Sequence, residues 1–177
     1  FLYVRDGAPL EPFMNGGHQE GAMRGGTENV AGIVAMAAAA REACENMASD
    51  AARIAALRDE LEQRILAEIA NTCVNGTAPR VPGTLNVSFA GIDSASLVEL
   101  LDERGVCAAG GSACSSHEGE PSHVLVAMGL PSERTQSALR FSLSNETTQD
   151  DIDYTVGVLK ACSEQLQPFA LLDLSSF

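Results

Sequence analysis

The stretch Thr84-Leu85-Asn86-Val87-Ser88-Phe89 alternates polar and apolar residues. Successive side chains of a β-strand point to opposite faces of its sheet, so this alternation predicts a strand with one buried face and one polar face. Turn-forming residues precede it at 75–76 and at 79–83. We therefore interpret 84–89 as a half-buried strand and use it to place the elements on either side.

Short helices and short strands alternate after this strand. The patterns predict, in order, a helix over 94–103, a strand over 106–108, a loop, a helix over 121–129, a strand over 138–144 and a helix over 152–167. Gly105 and Gly129 end the first two helices, and Thr148 with Asp151 forms a capping signature for the last one. Such a mixture is typical of a compact α+β domain, which we expect over 71–177.

Two long helices are predicted before residue 71. Val30, Ile33 and Val34 recur at helical spacing and predict a helix over about 28–47. A second apolar stripe predicts another helix to about residue 70, with Ser49-Asp50 as its cap. Residues 1–4 are apolar and predict a strand, whereas 8–27 are rich in glycine and predict a loop.

The segment Gly110-Gly111-Ser112-Ala113-Cys114-Ser115-Ser116 holds one thiol in a run of small residues. No side chain within two positions of Cys114 is large enough to shield it, and the glycines give the backbone freedom that other residues lack. Structural cysteines are usually buried, whereas this thiol is predicted to lie on a mobile, exposed loop. Such a thiol is suited to act as a carrier, which accepts a chemical group at one site and delivers it at another.

Composition limits the setting and the partners. The five cysteines are odd in number and include no CxxC pair, which argues against a disulfide framework and a zinc site. We expect reduced thiols and a cytoplasmic setting. We also expect packed thiols without an assigned role at Cys44, Cys73, Cys107 and Cys162. The 24 acidic and 11 basic residues give a net charge of −13, which disfavours nucleic acid and anionic membranes as partners. This charge provides solubility or a docking face for a basic partner.

A glycine-rich loop over 16–27 ends at Thr27, just before the first predicted helix. Backbone N–H groups and a hydroxyl at such a place can hold an anion such as phosphate. The alternative is that Thr27 is simply the N-cap of the helix. The loop alone does not decide between the two.

Several motifs occur in a recognisable order. Gly111-Ser112-Ala113-Cys114-Ser115-Ser116 is followed by Glu120-Pro121-Ser122-His123-Val124-Leu125, by Ala127-Met128-Gly129-Leu130 and by Leu139-Arg140-Phe141-Ser142-Leu143. Arg24-Gly25-Gly26-Thr27-Glu28-Asn29-Val30 stands earlier. Together they resemble the small domain of a cysteine desulfurase, in the nitrogen-fixation and iron–sulfur assembly branch of the class V aminotransferase family. The resemblance covers nearly the whole chain.

The resemblance implies an enzyme that uses pyridoxal phosphate to take sulfur from L-cysteine, giving L-alanine and an enzyme persulfide. It implies that 71–177 is the small C-terminal domain of a fold-type-I enzyme, 28–70 are connecting helices and 1–27 are a remnant of the large cofactor domain. Cys114 matches the persulfide-carrying nucleophile, and Arg140 matches the residue that grips the substrate carboxylate. Thr27 matches the hydroxyl that reaches the cofactor phosphate of the neighbouring subunit.

Elementary chemistry agrees with these assignments. The attacking species must be a thiolate, and a free thiol with a pKa of about 8.5 is only a few per cent ionised at neutral pH. Arginine can hold a carboxylate with two parallel hydrogen bonds, although a structural salt bridge is the alternative for Arg140. His117 is close to Cys114 in sequence, but a lone histidine on a loop is more often a surface residue.

One departure from the family concerns the cofactor. Pyridoxal phosphate needs a lysine for its Schiff base, and the single lysine of this chain is Lys160, in the last predicted helix. The resemblance places the family's lysine before Phe1. We therefore expect the C-terminal portion of a desulfurase that does not hold the cofactor covalently and is inactive alone. Residues 1–27 are expected to be disordered, rearranged or paired between chains.

The resemblance also implies partners and leaves alternatives. It implies a homodimer and delivery of sulfur to an iron–sulfur scaffold or another sulfur-acceptor protein, without saying which. A selenocysteine lyase or another class V aminotransferase-like enzyme is one alternative, although neither needs a thiol in a small-residue loop. A non-catalytic sulfur-carrier or scaffold-binding domain is the other. No metal site is predicted.

Overall fold

The computed structural model describes residues 1–77, 79–110 and 122–167. It divides into two compact units, Phe1–Asn46 and Met47–Phe177. The positions of Cys114 and His117 lie outside the described residues.

The first unit holds loops, a short 3₁₀ helix at Gln19–Ala22 and the beginning of α1 (Val30–Glu68). The strand predicted over 1–4 is wrong, because these residues have no regular secondary structure and Phe1, Leu2 and Tyr3 are exposed. A strand needs a neighbour for its backbone N–H and C=O groups, and the described part of this unit contains no other strand to supply one. The loop predicted over 8–27 is confirmed apart from the 3₁₀ turn.

Helix α1 is one helix of 39 residues, where the sequence predicts two. The predicted break at Ser49-Asp50 is wrong. From residue 33 to residue 68 the sequence contains neither glycine nor proline, and much of it is alanine, which has the highest helix propensity. Two consecutive polar residues in such a sequence cost too little to interrupt the backbone hydrogen bonds.

The second unit is built on a four-stranded antiparallel sheet in the order β1-β2-β4-β3. The strands are β1 (Thr72–Val74), β2 (Thr84–Phe89), β3 (Ala109–Gly110) and β4 (Ala138–Ser142). The prediction for β2 is confirmed to the residue, and β4 ends two residues before its predicted end. The strand predicted over 106–108 is wrong, since these residues connect the preceding helix to the sheet and β3 begins only at Ala109.

The described part of this unit contains four further helices. They are α2 (Ser94–Asp102), α3 (His123–Ala127), α4 (Ser132–Gln136) and α5 (Gln149–Leu166). Helices α2, α3 and α5 were expected from sequence, although the predicted start of α3 at Pro121 falls outside the described residues. Gly105 and Gly129 follow α2 and α3 with φ of 73° and 79°, a left-handed conformation that glycine adopts without a steric penalty.

The hydrophobic core lies on one face of the sheet. Leu85 and Val87 of β2 and Leu139 of β4 are fully buried there. The C-terminal part of α1, together with α2 and α5, covers this face with the buried side chains Leu61, Ile65, Leu97, Leu101, Val156 and Leu159. The mixed α+β fold predicted from the sequence is thereby confirmed. The residues between the apolar ones, including Asn86 and Arg140, lie on the opposite face.

The cysteines differ in their surroundings. Cys162 is buried in the core, as expected from its helical spacing, whereas Cys44 and Cys107 are exposed, so the prediction that they are packed is wrong. Cys73 is half-buried on β1, and burial raises the pKa of its thiol, an effect that the nearby Arg134 guanidinium partly opposes. At neutral pH Cys73 is therefore held as a thiol.

Helix α5 begins with the predicted capping signature. Thr148 Oγ1 accepts a hydrogen bond from the Asp151 N–H, and the Asp151 carboxylate accepts one from the Thr148 N–H at 2.8 Å. The Thr148 backbone N–H, followed by its hydroxyl, lowers the pKa of Asp151 below its ordinary value. Because the folded pKa is the lower one, this contribution to stability is present above the ordinary pKa and is lost as the pH falls through the folded one.

Thr148→Ala should destabilise the chain by about 1 kcal/mol, because the N–H of Asp151 loses its acceptor at the start of α5. Thr148→Ser keeps the hydroxyl and should retain most of the stability. Urea unfolding followed by circular dichroism at neutral pH compares the two variants. Equal urea midpoints for Thr148→Ala and Thr148→Ser would contradict a stabilising role for the cap.

Candidate functional site

Arg140 occupies the middle of β4, between two strands. It lies directly opposite Asn86 of β2 on one side and Ala109 of β3 on the other. Its side chain is exposed on the face of the sheet away from the core. Within the described residues no carboxylate forms an ion pair with its guanidinium and no group accepts a hydrogen bond from it. The alternative of a structural salt bridge for Arg140 therefore has no support in the described part of the chain.

Strand β3, which precedes Cys114 in the sequence, lies next to Arg140. Its Ala109 pairs with Arg140 itself, and its Gly110 pairs with Leu139, the neighbour of Arg140 on β4. Gly110 also lies tightly against α2, since a Cβ placed on it would be 3.0 Å from Ser94 Oγ and 3.2 Å from Ser94 Cβ. A Cβ at residue 110 would press on the Ser94 side chain, which would have to shift by a few tenths of an ångström, so glycine suits this close packing.

A polar cluster lies beside Arg140 on the same face of the sheet. We call it the Asn75 cluster, and its members are Asn75, Asn86, Ser88 and Arg134. Asn75 is 7% exposed and forms its centre. Its Nδ2 donates to Asn86 Oδ1 at 2.7 Å and to Ser88 Oγ at 2.6 Å. Arg134 Nε donates to Asn75 Oδ1 at 3.0 Å.

The Asn75 cluster was not found by sequence reasoning. In the sequence Asn75 carries only a turn signal, and Arg134 belongs to α4, which the sequence patterns do not predict. The alternation in β2 did contain a signal, because Asn86 and Ser88 are the polar positions of a strand whose other positions are buried. Pairing β2 with β4 shows which of these positions faces Arg140, and that register is not visible in a single strand.

Thr27 belongs to the first unit and lies in a loop three residues before α1. It is not the N-cap of that helix. Asn29 takes this role, since its Oδ1 accepts a hydrogen bond from the Gly32 N–H at 3.0 Å. The capping interpretation of Thr27 is thus wrong. Its side chain is exposed, and no described residue hydrogen-bonds to its hydroxyl.

The glycine-rich loop before Thr27 folds back on itself. The Gly25 N–H donates to the Met14 carbonyl at 2.8 Å, so it is not free to hold an anion. A Cβ on Gly25 would lie 2.8 Å from the Gly16 Cα, closer than real contacts allow. Gly26 follows with φ of 103°, which favours glycine. These glycines shape the loop and place Thr27 at its end.

The sequence matches a model of a known protein family. This model describes the aminotransferase class-V family and matches residues 1–155. The chain belongs to the class V aminotransferase family.

Relatives in this family share much of the sequence. A cysteine desulfurase of Gluconacetobacter diazotrophicus is 43% identical over 167 residues, which cover 94% of this chain and 42% of that protein. A cysteine desulfurase of Klebsiella pneumoniae is 42% identical over the same shares. A solved NifS-like protein has a TM-score of 0.76 and 32% identity, covering 93% of this chain and 41% of that one. The chain therefore spans less than half the length of these relatives.

The class V aminotransferase family implies pyridoxal phosphate as the cofactor of the parent protein. Covalent attachment needs a lysine, and Lys160 is the only one. Lys160 is exposed on α5, which packs on the core face of the sheet, whereas Arg140 lies on the other face. The sheet separates the amine from the candidate site, so the residues of this chain do not fit covalent attachment of the cofactor there.

The described part of the chain offers neither a metal site nor a membrane span. No group of three or more histidine, cysteine or acidic side chains in it could hold a metal ion. None of its helices combines the length and the apolar character needed to cross a membrane.

Asn75→Ala should lower the free energy of unfolding by about 2 kcal/mol, because it leaves hydrogen-bonding groups of Asn86 and Arg134 without their partner. Asn145→Ala, at an exposed position outside the cluster, is the matched control and should change stability by less than about 0.5 kcal/mol. Urea unfolding of both variants measures the difference. A loss at Asn75 no larger than that of the control would show that the cluster does not stabilise the sheet.

Proposed function

We propose that this chain is the C-terminal portion of a cysteine desulfurase, a transferase that takes sulfur from L-cysteine as a protein-bound persulfide and yields L-alanine. The observation that carries the proposal is the position of Arg140. It is an exposed cation without an ionic partner in the described residues, and it pairs with β3, the strand that precedes Cys114 in the sequence. The relatives named cysteine desulfurase support the same assignment.

Arg140 is the residue that would bind the carboxylate of L-cysteine. A guanidinium presents parallel N–H donors that match the two oxygens of a carboxylate, which fixes the orientation as well as the position of the substrate. The neighbours of Arg140 across the sheet, Asn86 and Ala109, are uncharged. They leave its charge available to a ligand.

Cys114 is the residue that would accept the sulfur. Its thiolate attacks the sulfur atom of the substrate, a new S–S bond forms, and the electrons of the broken C–S bond remain with the substrate carbon, which is protonated to give L-alanine. Four peptide units separate Cys114 from Gly110, and the covalent chain therefore keeps their Cα atoms within about 15 Å of each other. This distance is compatible with a thiol that serves a substrate held at Arg140.

Pyridoxal phosphate in the parent protein supplies the electron sink for this chemistry. Of the residues present, Thr27 would contact its phosphate through the hydroxyl that no described residue engages. The resemblance assigns this contact to the cofactor of the neighbouring subunit, so the proposal includes a homodimer. The Schiff-base lysine would come from the part of the enzyme that precedes 1–27, with 28–70 connecting it to the small domain at 71–177. This chain alone should not turn over L-cysteine.

The proposed enzyme is cytoplasmic and passes its sulfur to an iron–sulfur scaffold or another sulfur-acceptor protein. The charge of −13 suits a basic docking surface on that acceptor and disfavours nucleic acid.

Cys114→Ser should abolish sulfide formation from L-cysteine when this chain is combined with the N-terminal portion of the enzyme and pyridoxal phosphate. A hydroxyl at this position cannot carry a persulfide. The assay measures alanine and sulfide after addition of L-cysteine. Cys107→Ser, which replaces an exposed thiol of the same unit, is the control and should retain activity.

Two results would argue against the assignment of Cys114. Sulfide formation by Cys114→Ser at the wild-type rate would show that Cys114 does not carry the persulfide. A wild-type complex that binds a sulfur-acceptor protein but releases no alanine would instead favour a non-catalytic carrier.

Arg140→Lys should raise the KM for L-cysteine at least about tenfold, because a hydrogen bond to a charged group contributes about 1.5–3 kcal/mol and the lysine loses the paired donors. Ser142→Ala, two residues along the same face of β4, is the matched control and should leave the KM unchanged. Steady-state kinetics of the combined enzyme tests this. A KM for Arg140→Lys within twofold of wild type would exclude Arg140 as the carboxylate anchor.

A further inference from the structure

The direction of the hydrogen bonds in the Asn75 cluster is set by Arg134. A guanidinium can only donate hydrogen bonds. Arg134 Nε donates to Asn75 Oδ1 at 3.0 Å, and a second nitrogen of the same guanidinium donates to the Val74 carbonyl at 3.0 Å. The amide of Asn75 must therefore turn its oxygen towards Arg134 and its NH₂ group towards β2.

This orientation fixes the next amide in turn. The Asn75 NH₂ group donates both of its hydrogens, to Asn86 Oδ1 at 2.7 Å and to Ser88 Oγ at 2.6 Å. Ser88 then donates its own hydroxyl hydrogen to the Arg134 carbonyl at 2.7 Å. Asn75 is buried, so water cannot readily replace these contacts. Asn86 must present its oxygen to Asn75.

The NH₂ group of Asn86 is therefore the free end of its amide. No described residue accepts a hydrogen bond from Asn86 Nδ2. Asn86 is directly opposite Arg140 in the register of β2 and β4, and residues so paired share a face with Cβ atoms about 4.5–5.5 Å apart. The oxygen of Asn86 faces β1, on one side of β2, whereas Arg140 lies on the other side. Two kinds of donor, an amide NH₂ and a guanidinium, thus stand side by side without an acceptor among the described residues.

We propose that Asn86 is a substrate-binding residue. Its NH₂ group donates a further hydrogen bond to the L-cysteine carboxylate that Arg140 binds. The inference rests on the proposed function and names a residue that deepens it. A carboxylate has enough lone pairs to accept from the guanidinium and from an amide together. The Asn75 cluster prevents the Asn86 amide from rotating to offer its oxygen, which would repel the carboxylate. Arg134 and Asn75 are positioning residues in this arrangement, and they do not touch the substrate.

Asn86→Asp is the variant that separates this role from a structural one. An aspartate keeps an oxygen for the Asn75 NH₂ group, so the cluster retains its hydrogen bonds. It replaces the free NH₂ group with a second, negatively charged oxygen beside Arg140. The expected result is a rise of more than about tenfold in the KM for L-cysteine, with a smaller change in kcat and no decrease in the urea midpoint.

Binding of the product gives a readout that does not depend on turnover. In the combined enzyme with its cofactor, calorimetric titration should show the Kd for L-alanine raised about tenfold or more by Asn86→Asp. Ethylamine, which lacks the carboxylate, should bind the variant and the wild type equally. Thr84→Ala is the matched control, because Thr84 lies on the same face of β2 but pairs with Ser142 and not with Arg140.

The outcomes distinguish this inference from the proposed function. A wild-type enzyme without desulfurase activity would overturn the proposed function, and the inference with it. An active wild type whose Asn86→Asp variant keeps its KM and its Kd for L-alanine within twofold would overturn the inference alone. Equal weakening of L-alanine and ethylamine would also overturn it, because the residue would then act on the shape of the site and not on the carboxylate.

Discussion

The antiparallel pairing of β2 with β4 is the interaction on which the rest of the second unit depends. It sets Leu85 opposite Phe141 and Val87 opposite Leu139 on the face that packs against the helices. The same register sets Asn86 opposite Arg140 on the other face. A shift of one residue would exchange the two faces, burying a guanidinium and exposing the core, so the hydrophobic pattern that stabilises the fold also determines where the cation lies.

The hydrogen bonds on the polar face of the sheet run in one direction, from donor to acceptor. They begin at a guanidinium that can only donate and pass through Asn75, whose two ends are both engaged. Buried polar groups are costly when unsatisfied, which makes each orientation in this cluster depend on the one before it. The cation of Arg140 thus lies beside a hydrogen-bonded surface, and β3, the strand that precedes Cys114 in the sequence, pairs with β4 on its other side.

The sequence was sufficient for those features that depend on local patterns. Period-two alternation located β2, Thr148 and Asp151 located the start of α5, and Gly105 located the end of α2. Features that depend on distant residues were missed. The predicted strand at 1–4 failed because a strand requires a partner, and the break in α1 was predicted from polarity although the surrounding alanines favour a continuous helix. Arg140 could be singled out only through the family motif, and the Asn75 cluster required the register of three strands.

The single lysine offers a practical consequence. Lys160 is exposed on α5, on the side of the sheet away from Arg140, and no other side chain in the sequence carries a primary amine. With the α-amino group blocked, an amine-reactive fluorophore would therefore label one defined side chain, on the side of the sheet away from Arg140. Its emission anisotropy would report binding of the proposed acceptor protein without a dye beside Arg140.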